Sequence, residues 1–252
     1  MRRVRGKRIA MILQDPMASL NPLFTIGDQV AEPIRVHEGT GRAAAWSRAR
    51  DLLEAVRIAS PQTRLRQHPH EMSGGMRQRI VGAIGISCEP RLLIADEPTT
   101  SLDLTIQAQY LALLRDLQRE HGLALIFITH NLGIVAKMCD QLAVMYAGRM
   151  VEKGPVSRVF SAPAHPYTKA LLGSIPRMTD SRARLTAIDG QPPDLSSLPS
   201  GCSFSPRCPR VIERCRTEAP PAFAPEDGRT VRCWHAAPRT EGARLAEPIG
   251  AT

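Results

Sequence analysis

Short runs of apolar residues alternate along the chain with longer segments in which apolar residues recur every three or four positions. The apolar runs predict strands, and they lie at residues 9–13, 91–95 and 123–129. The periodic segments predict helices, and they lie at residues 27–36, 41–58, 75–87 and 104–121. Continuous apolar strands are typical of a parallel sheet whose two faces are both covered.

The order of these elements indicates an α/β fold. The strand at 91–95, the helix at 104–121 and the strand at 123–129 form a β-α-β unit, which joins parallel strands. Within the segment 41–58, one helical face carries a stripe that we interpret as core packing, consisting of Trp46, Ala49, Leu53 and Val56. Two further apolar stretches around Ala147 and Gly148 predict a hairpin.

Composition limits the class of protein. The chain has 252 residues, a net charge of +9 and only 4% aromatic residues, so base-stacking surfaces for nucleic acid are not expected. No apolar run reaches the roughly 20 residues of a membrane span, and none at the amino terminus predicts a signal peptide. We therefore expect a cytoplasmic location and reduced cysteines.

A change in composition near residue 161 predicts a domain boundary. Residues 1–160 carry the strands and helices, with a helical subdomain at about 27–90. Residues 161–236 are rich in Pro, Ser and Arg and contain four of the six cysteines, which predicts an appended, loop-rich module. Residues 237–252 predict a disordered tail.

Polar residues of catalytic type lie where the predicted strands end. Asp96 and Glu97 close an apolar strand, where an aspartate can hold Mg²⁺ through water and its neighbour can take a proton from an attacking water. Gln14 and His130 follow the other two strands. An acidic pair after a strand is by itself more often a solvated loop start, and a lone Gln is usually a surface residue, although open α/β sheets bind their ligands at the position of Asp96 and Glu97.

A glycine-rich turn precedes this acidic pair. Ser73, Gly74 and Gly75 open a predicted helix about 20 residues before Asp96, and the backbone N–H groups of such a turn can bind a phosphate. With Ser101-Leu102-Asp103 after the acidic pair, this order and spacing resemble the signature motif, Walker B strand and D-loop of ABC-type ATPases. The sequence Ser-Gly-Gly-Met-Arg-Gln-Arg from Ser73 resembles the peptide-importer branch.

The resemblance implies a role for each matching residue. Asp96 would bind Mg²⁺ and Glu97 would activate water, while Gln14 matches the Q-loop and His130 the switch histidine. Ser73, Gly74, Gly75 and Asp103 would contact ATP held by a second ATPase subunit. These assignments imply an ABC-type P-loop NTPase that uses ATP and Mg²⁺.

The sequence contains no Gly-x-x-x-x-Gly-Lys-Ser/Thr phosphate loop upstream of these motifs. We interpret it as an N-terminally truncated ABC ATPase and expect the chain alone to be inactive. A degenerate partner subunit that completes another subunit's ATP site is the alternative interpretation.

The four cysteines of the C-terminal module are Cys202, Cys208, Cys215 and Cys233. Four thiols in a cytoplasmic, loop-rich segment favour a metal over disulfides; reduced structural cysteines are the alternative. Residues 165–172 and 201–210 resemble the C-terminal extension of oligopeptide and dipeptide importer ATPases. That resemblance implies a [4Fe–4S] cluster, with Zn²⁺ as the second choice.

The interpretation that follows is an ATPase subunit of an ABC importer for oligopeptides or dipeptides, on the cytoplasmic face of the membrane. Its partners would be membrane permeases, a second ABC ATPase subunit and, indirectly, a peptide-binding protein, but no nucleic acid. Leu23 and Phe24 are the expected permease contacts, unless they are buried in the subdomain. Nickel import, an inactive regulatory subunit, and an ABC protein acting on DNA or ribosomes are alternatives.

Overall fold

The computed structural model describes the following residues: Met1, 3–100, 102–175, 187–225 and 228–237. The predicted D-loop serine, Ser101, and residues 238–252 of the predicted tail lie outside the described residues. The chain forms two compact units, Met1–Asn131 and Leu132–Thr252. The predicted domain boundary near residue 161 stays a prediction.

The first unit contains a three-stranded parallel sheet. Its strands are β1 (Ile9–Ile12), β2 (Leu92–Asp96) and β3 (Ala124–Ile128), in the order β1-β2-β3. Ile9 pairs with Leu92, and Leu92 pairs with Ala124. The three predicted strands and the parallel β-α-β unit are therefore confirmed.

The prediction that both faces of this sheet are covered is wrong. Met11, Ile126 and Ile128 are 46%, 49% and 45% exposed on one face, whereas Ile12 and Leu93 are buried on the other. The buried face packs on the helix that contains Gly85, and the residues that the structure describes leave the opposite face partly exposed. An apolar run indicates which residues can be buried, but it does not show which part of the protein, if any, covers them.

Seven helical segments accompany the sheet among the described residues of the first unit. They are α1 (Pro16–Ser19), α2 (Ile26–Glu38), α3 (Arg42–Ala55), α4 (Pro61–Arg64), the 3₁₀ helix Pro69–Glu71, α5 (Gly74–Ile86) and α6 (Leu104–His121). Ala49, Leu53 and Val56 of the predicted stripe are fully buried, which confirms core packing. Gly27 sits against Trp46, whose ring occupies the space that a Cβ would need.

The second unit is built on an antiparallel hairpin, as predicted. Its strands are β4 (Gln141–Tyr146), β5 (Arg149–Pro155) and β6 (Thr230–Val231), in that order. Its helical segments are α7 (Leu132–Met138), α8 (Val156–Ser161), α9 (Pro166–Gly173), α10 (Glu213–Thr217) and two 3₁₀ turns, Ser205–Arg207 and Trp234–Ala236. Phe204, Val159 and Tyr146 belong to one apolar cluster on the hairpin, so the loop-rich segment and the hairpin share a core.

Candidate functional site

The carboxyl ends of the three parallel strands place the predicted catalytic residues at one edge of the sheet. Gln14 follows β1 and is exposed, Glu97 follows β2, and His130 follows β3. The structure brings two of them into direct contact, since His130 Nδ1 lies 2.8 Å from Glu97 Oε1. Asp96, half-buried at the end of β2, directly precedes Glu97.

Glu97 is held by several contacts in a conformation that is uncommon for its residue type. Its backbone φ is +43°, and its N–H donates to the Ile128 carbonyl at 2.9 Å. The Thr100 hydroxyl donates to Oε2 at 2.6 Å. Left-handed backbone at a non-glycine residue costs on the order of 1 kcal/mol and is common at functional sites.

These side-chain contacts set the charge of Glu97. The hydrogen bond from His130 and then the one from Thr100 hold the pKa of the Glu97 carboxyl below its usual range. The group is consequently ionised at neutral pH and accepts hydrogen bonds. An ionised carboxylate beside an imidazole can orient a water and receive its proton.

A second set of predicted residues meets at the amino-terminal ends of α5 and α6. Ser73 is the N-cap of α5, where its Oγ accepts from the Met76 N–H at 3.3 Å. Asp103 is the N-cap of α6, where its Oδ1 accepts from the Thr105 and Ile106 N–H groups at 3.0 Å each. Ser73, Gly74, Gly75 and Asp103 all line one cavity of about 550 Å³.

Three arginines that the sequence did not single out line the same cavity. They are Arg57, Arg64 and Arg79. Arg79 is oriented by hydrogen bonds to the Arg57 carbonyl at 3.2 Å and to Gln109 Oε1 at 2.9 Å. Of the three, only Arg79 lies within the Ser-Gly-Gly-Met-Arg-Gln-Arg motif that begins at Ser73. The Arg57 guanidinium is paired with Asp116 Oδ2 at 2.7 Å. Arg64, Arg79 and the N-terminus of a 13-residue helix favour an anion here.

Gly75 has a packing reason for being glycine. A Cβ at Gly75 would lie 2.9 Å from Ile106 Cγ2, whereas one at Gly74 would meet nothing within 4 Å. Gly75 therefore allows the start of α5 to approach α6 closely.

The four predicted metal ligands line one small apolar cavity of about 10 Å³ in the second unit. Burial, opposed in part by backbone hydrogen bonds, raises the pKa of the Cys202, Cys208 and Cys233 thiols, and the neighbouring cysteines add to the effect. Among the described residues, no three His, Cys, Asp or Glu side chains are arranged to hold a metal ion. The structure thus brings the thiols to one place without forming the predicted metal centre.

His165, which sequence analysis placed only within a resembling segment, lines the same cavity. It is buried, and burial lowers the pKa of its imidazole to about 4. Its ring centroid lies 5.9 Å from that of Phe204, which is also buried. Neither spacing nor periodicity connects His165 to cysteines that begin 37 positions later in the sequence.

Among solved structures, the chain is similar to the ATP-binding cassette MJ0796 in a dimeric, post-hydrolysis state bound to ADP and Pi. The TM-score is 0.53 at 22% identity, over 60% of this chain and 64% of that one. This likeness establishes the class of fold, an α/β ATP-binding cassette. Among the described residues, no helix is both long and apolar enough to cross a membrane.

Sequence relatives define the family more narrowly. Residues 1–100 match the ABC transporter family, and residues 151–215 match the family described as oligopeptide/dipeptide transporter, C-terminal region. The dipeptide transport ATP-binding protein DppD of Bacillus subtilis is 50% identical over 98% of this chain and 73% of its own length. The oligopeptide transport ATP-binding protein OppD of Salmonella typhimurium is 47% identical over 92% of this chain and 69% of its own length. The chain therefore belongs to the ABC-type ATP-binding proteins of the oligopeptide/dipeptide transporter family.

Proposed function

We propose that this chain is the ATP-binding subunit of an ABC importer that couples ATP hydrolysis to uptake of oligopeptides or dipeptides. The contact between His130 and Glu97, 2.8 Å long and next to Asp96 at the carboxyl edge of the sheet, is the observation that carries the ATPase part. The peptide substrate rests on the relatives named above, which are dipeptide and oligopeptide transport proteins.

In this proposal each residue at the sheet edge has a separate task. Asp96 would hold Mg²⁺, and Glu97 would orient an attacking water and accept its proton. His130 positions the Glu97 carboxylate through Nδ1, and only the imidazolium form of the ring has a second N–H, on Nε2, to donate toward the γ-phosphate. Gln14, exposed beyond β1, completes the edge on the side of the permease.

The cavity at α5 and α6 is proposed to bind the nucleotide of a second ATPase subunit. Backbone N–H groups at Ser73, Gly74 and Gly75 would donate to an anion there, in a cavity that Arg64 and Arg79 also line. Asp103 holds the start of α6 at the same place. The sequence contains no Gly-x-x-x-x-Gly-Lys-Ser/Thr phosphate loop, so we expect this chain alone to hydrolyse ATP negligibly.

Attachment to a permease is proposed to use the loop after β1. Leu23 and Phe24 are 82% and 54% exposed, so the alternative that both are buried within the subdomain is wrong. Met17, also exposed at 56%, adds to the apolar surface of this segment. Contact with permease subunits would place the protein on the cytoplasmic face of the inner membrane, with a peptide-binding protein as an indirect partner.

The four cysteines are proposed to form a metal site, with [4Fe–4S] favoured and Zn²⁺ as the alternative. Only the donor chemistry supports this proposal: four free thiols line one cavity, and thiolates are the ligands of both centres, but their described arrangement does not hold an ion. Metal binding would draw the sulfur atoms together, because folding and metal binding are coupled in small modules. We further propose that residues 1–160 form the ATPase domain, with its helical subdomain at about 27–90, and 161–236 the extension.

The function is tested by reconstituting the chain with its permease, its peptide-binding protein and the second ATPase subunit in lipid vesicles. We expect ATP-dependent uptake of labelled dipeptide or oligopeptide once a phosphate-loop segment is fused before Met1, and Glu97→Gln in that fusion should abolish both uptake and hydrolysis while leaving ATP binding intact. Glu120→Gln, which changes an exposed carboxylate near the C-terminal end of α6, is the control and should retain activity. Uptake of Ni²⁺ instead of peptide, or unchanged turnover in Glu97→Gln, would refute the proposal.

A further inference from the structure

Two arginines of the second unit have no acidic partner among the residues that the structure describes. Arg149 begins β5 and is exposed, and Arg232 directly follows β6 and is half-buried. Neither side chain makes a hydrogen bond or an ion pair to a described residue. Both guanidinium groups are therefore available to an anion, which such planar donors bind in a bidentate manner.

The strand register places these two arginines on the same face of the sheet. The Arg232 N–H donates to the Val151 carbonyl at 2.8 Å, which continues the pairing of β5 with β6. Side chains alternate along a strand, so Arg149, two residues before Val151, shares the face of Arg232 and Thr230. Arg149, Thr230 and Arg232 accordingly line one cavity of about 310 Å³.

The size and the other walls of this cavity indicate an organic ligand. Its remaining lining residues are Gly148, Met150 and Ala222, so two apolar side chains lie beside the arginines. Its volume is at the lower end of the range of small-molecule sites, about 300–1,000 Å³. A molecule with an anionic head and a short apolar part matches these walls better than an inorganic ion does.

A buried hydroxyl lies beside the same two arginines. Arg149 and Arg232 also line a small cavity of about 20 Å³ together with Ser203. Ser203 is 6% exposed, and its Oγ has no hydrogen-bond partner among the described residues. Because a buried polar atom without a partner is costly, an oxygen of a bound anion, or a water that bridges to it, would be stabilised there.

The charge of the two arginines is not neutralised from within the site. Neither cavity has an acidic side chain among its described lining residues. Glu152, the carboxylate of β5, alternates to the opposite face from Arg149 and Val151. Its two oxygens accept the Ala164 and His165 N–H groups at 2.9 Å each, and Oε1 lies 3.6 Å from Arg229 Nη1. This carboxylate is therefore bound elsewhere.

We propose that Arg149 and Arg232 form a binding site for a small organic anion. Its carboxylate or phosphate head contacts the two guanidinium groups and accepts from Ser203 Oγ directly or through a water, and its apolar part lies against Met150 and Ala222. The site lies within the second unit. It depends neither on the proposed peptide transport nor on the proposed metal site.

Binding is tested on the full chain by ¹H–¹⁵N NMR titration, with the Gly148 and Thr230 amide signals as reporters. The probes are butyl phosphate with inorganic phosphate, pentanoate with acetate, and pentanamide as the uncharged analogue. We expect at least one of the two longer anions to bind about tenfold more tightly than its short counterpart, since each buried CH₂ favours binding about fourfold. Pentanamide should not bind, and the tighter of the two longer anions identifies the head group.

Three outcomes of this titration would overturn the proposal. They are no shift with either longer anion, equal affinity for the longer and the short anions, which would mean an adventitious ion only, and pentanamide binding as tightly as pentanoate.

Substitutions test the assigned residues. Arg149→Gln and Arg232→Gln should each weaken binding by about tenfold or more, and Arg232→Lys, which keeps the charge and loses the planar fork, should lie between parent and Arg232→Gln. Arg158→Gln is the matched control, because it removes the same charge from an exposed position on α8 outside both cavities. We expect Arg158→Gln to keep the parent affinity. Equal weakening in Arg158→Gln and Arg232→Gln, or parent affinity in Arg149→Gln and Arg232→Gln, would overturn the proposal.

Discussion

The sheet edge of the first unit and the cysteine cavity of the second differ in how their polar groups are satisfied. At the sheet edge, the Glu97 carboxylate accepts from two side chains, and the Glu97 N–H donates to the Ile128 carbonyl. In the cavity, four free thiols and the unpartnered Nε2 of His165 share an apolar space. The chain's own hydrogen bonds therefore organise the first site, whereas the second has donors and acceptors in place for a further partner.

The two sites differ in how far their side chains are exposed to solvent. The side chains of Glu97 and His130 are 20% and 72% exposed, so water can solvate whatever the chain leaves unpaired. His165 and Cys233 are buried, so an unpaired polar atom there carries its full desolvation cost. Three substitutions, ordered from the largest expected effect to the smallest, test whether the two sites are separate in this way.

The largest effect is expected for Gly201→Ala in the cysteine module. A Cβ at Gly201 would lie 2.3 Å from the Cys215 carbonyl oxygen and 2.8 Å from the Arg216 carbonyl carbon, so backbone must move. We expect a loss of about 3 kcal/mol or more in the unfolding free energy of the second unit, measured by urea titration with Trp234 fluorescence in a Trp46→Phe background. Gly173→Ala, where a Cβ meets nothing within 4 Å, is the matched control.

The first unit can be followed in the same titration through Trp46 fluorescence in a Trp234→Phe background. Gly201→Ala should leave the unfolding free energy of the first unit unchanged. A drop in the unfolding free energy of the first unit together with that of the second would contradict the separation of the two sites. A change below about 0.5 kcal/mol, the range of ordinary surface substitutions, would show that the backbone at Gly201 relaxes freely.

Much of the first unit was predictable because its signals are local or follow from sheet topology. The predicted helix at residues 104–121 matches α6, Leu104–His121, which Asp103 and Gly122 delimit as N-cap and C-cap. The contact between Glu97 and His130 follows from parallel strands that end at one edge. The exposed face of the sheet was not predictable, because an apolar pattern does not identify what covers it.

The second unit was less predictable because its contacts join distant parts of the chain. Cysteine spacing indicated a cluster, and all four thiols do line one cavity. His165 reaches that cavity through a fold set by buried Glu152, a carboxylate within β5 that polarity alone would place at the surface. The arginines around Ser73 were missed for a similar reason, since Arg57 and Arg64 come from loops and short helices outside the motif.

An intermediate effect is expected for Gly75→Ala at the start of α5. Its Cβ would meet the stiff, β-branched Ile106 at 2.9 Å, so α5 and α6 must separate by a few tenths of an ångström. We expect the unfolding free energy of the first unit to fall by about 1–2 kcal/mol. Nucleotide-dependent pairing with a second ATPase subunit should also weaken. Gly74→Ala, in open space, should change stability by less than about 0.5 kcal/mol; equal losses in both variants would refute the packing argument.

The smallest effect concerns the pH dependence of Glu97. Its pKa lies below the ordinary 4.5 because His130 and Thr100 hydrogen-bond its carboxylate. The resulting stability is therefore fully present above pH 4.5 and is lost as the pH falls through the lowered pKa. For a partly exposed pair we expect less than about 1 kcal/mol. Glu97→Gln cannot titrate, so the difference in unfolding free energy between parent and variant should be largest near pH 7 and shrink below pH 4.5. A difference that widens on acidification would contradict the assigned direction, and Thr100→Val should move the Glu97 carboxyl signal in ¹³C NMR titrations toward a higher pKa.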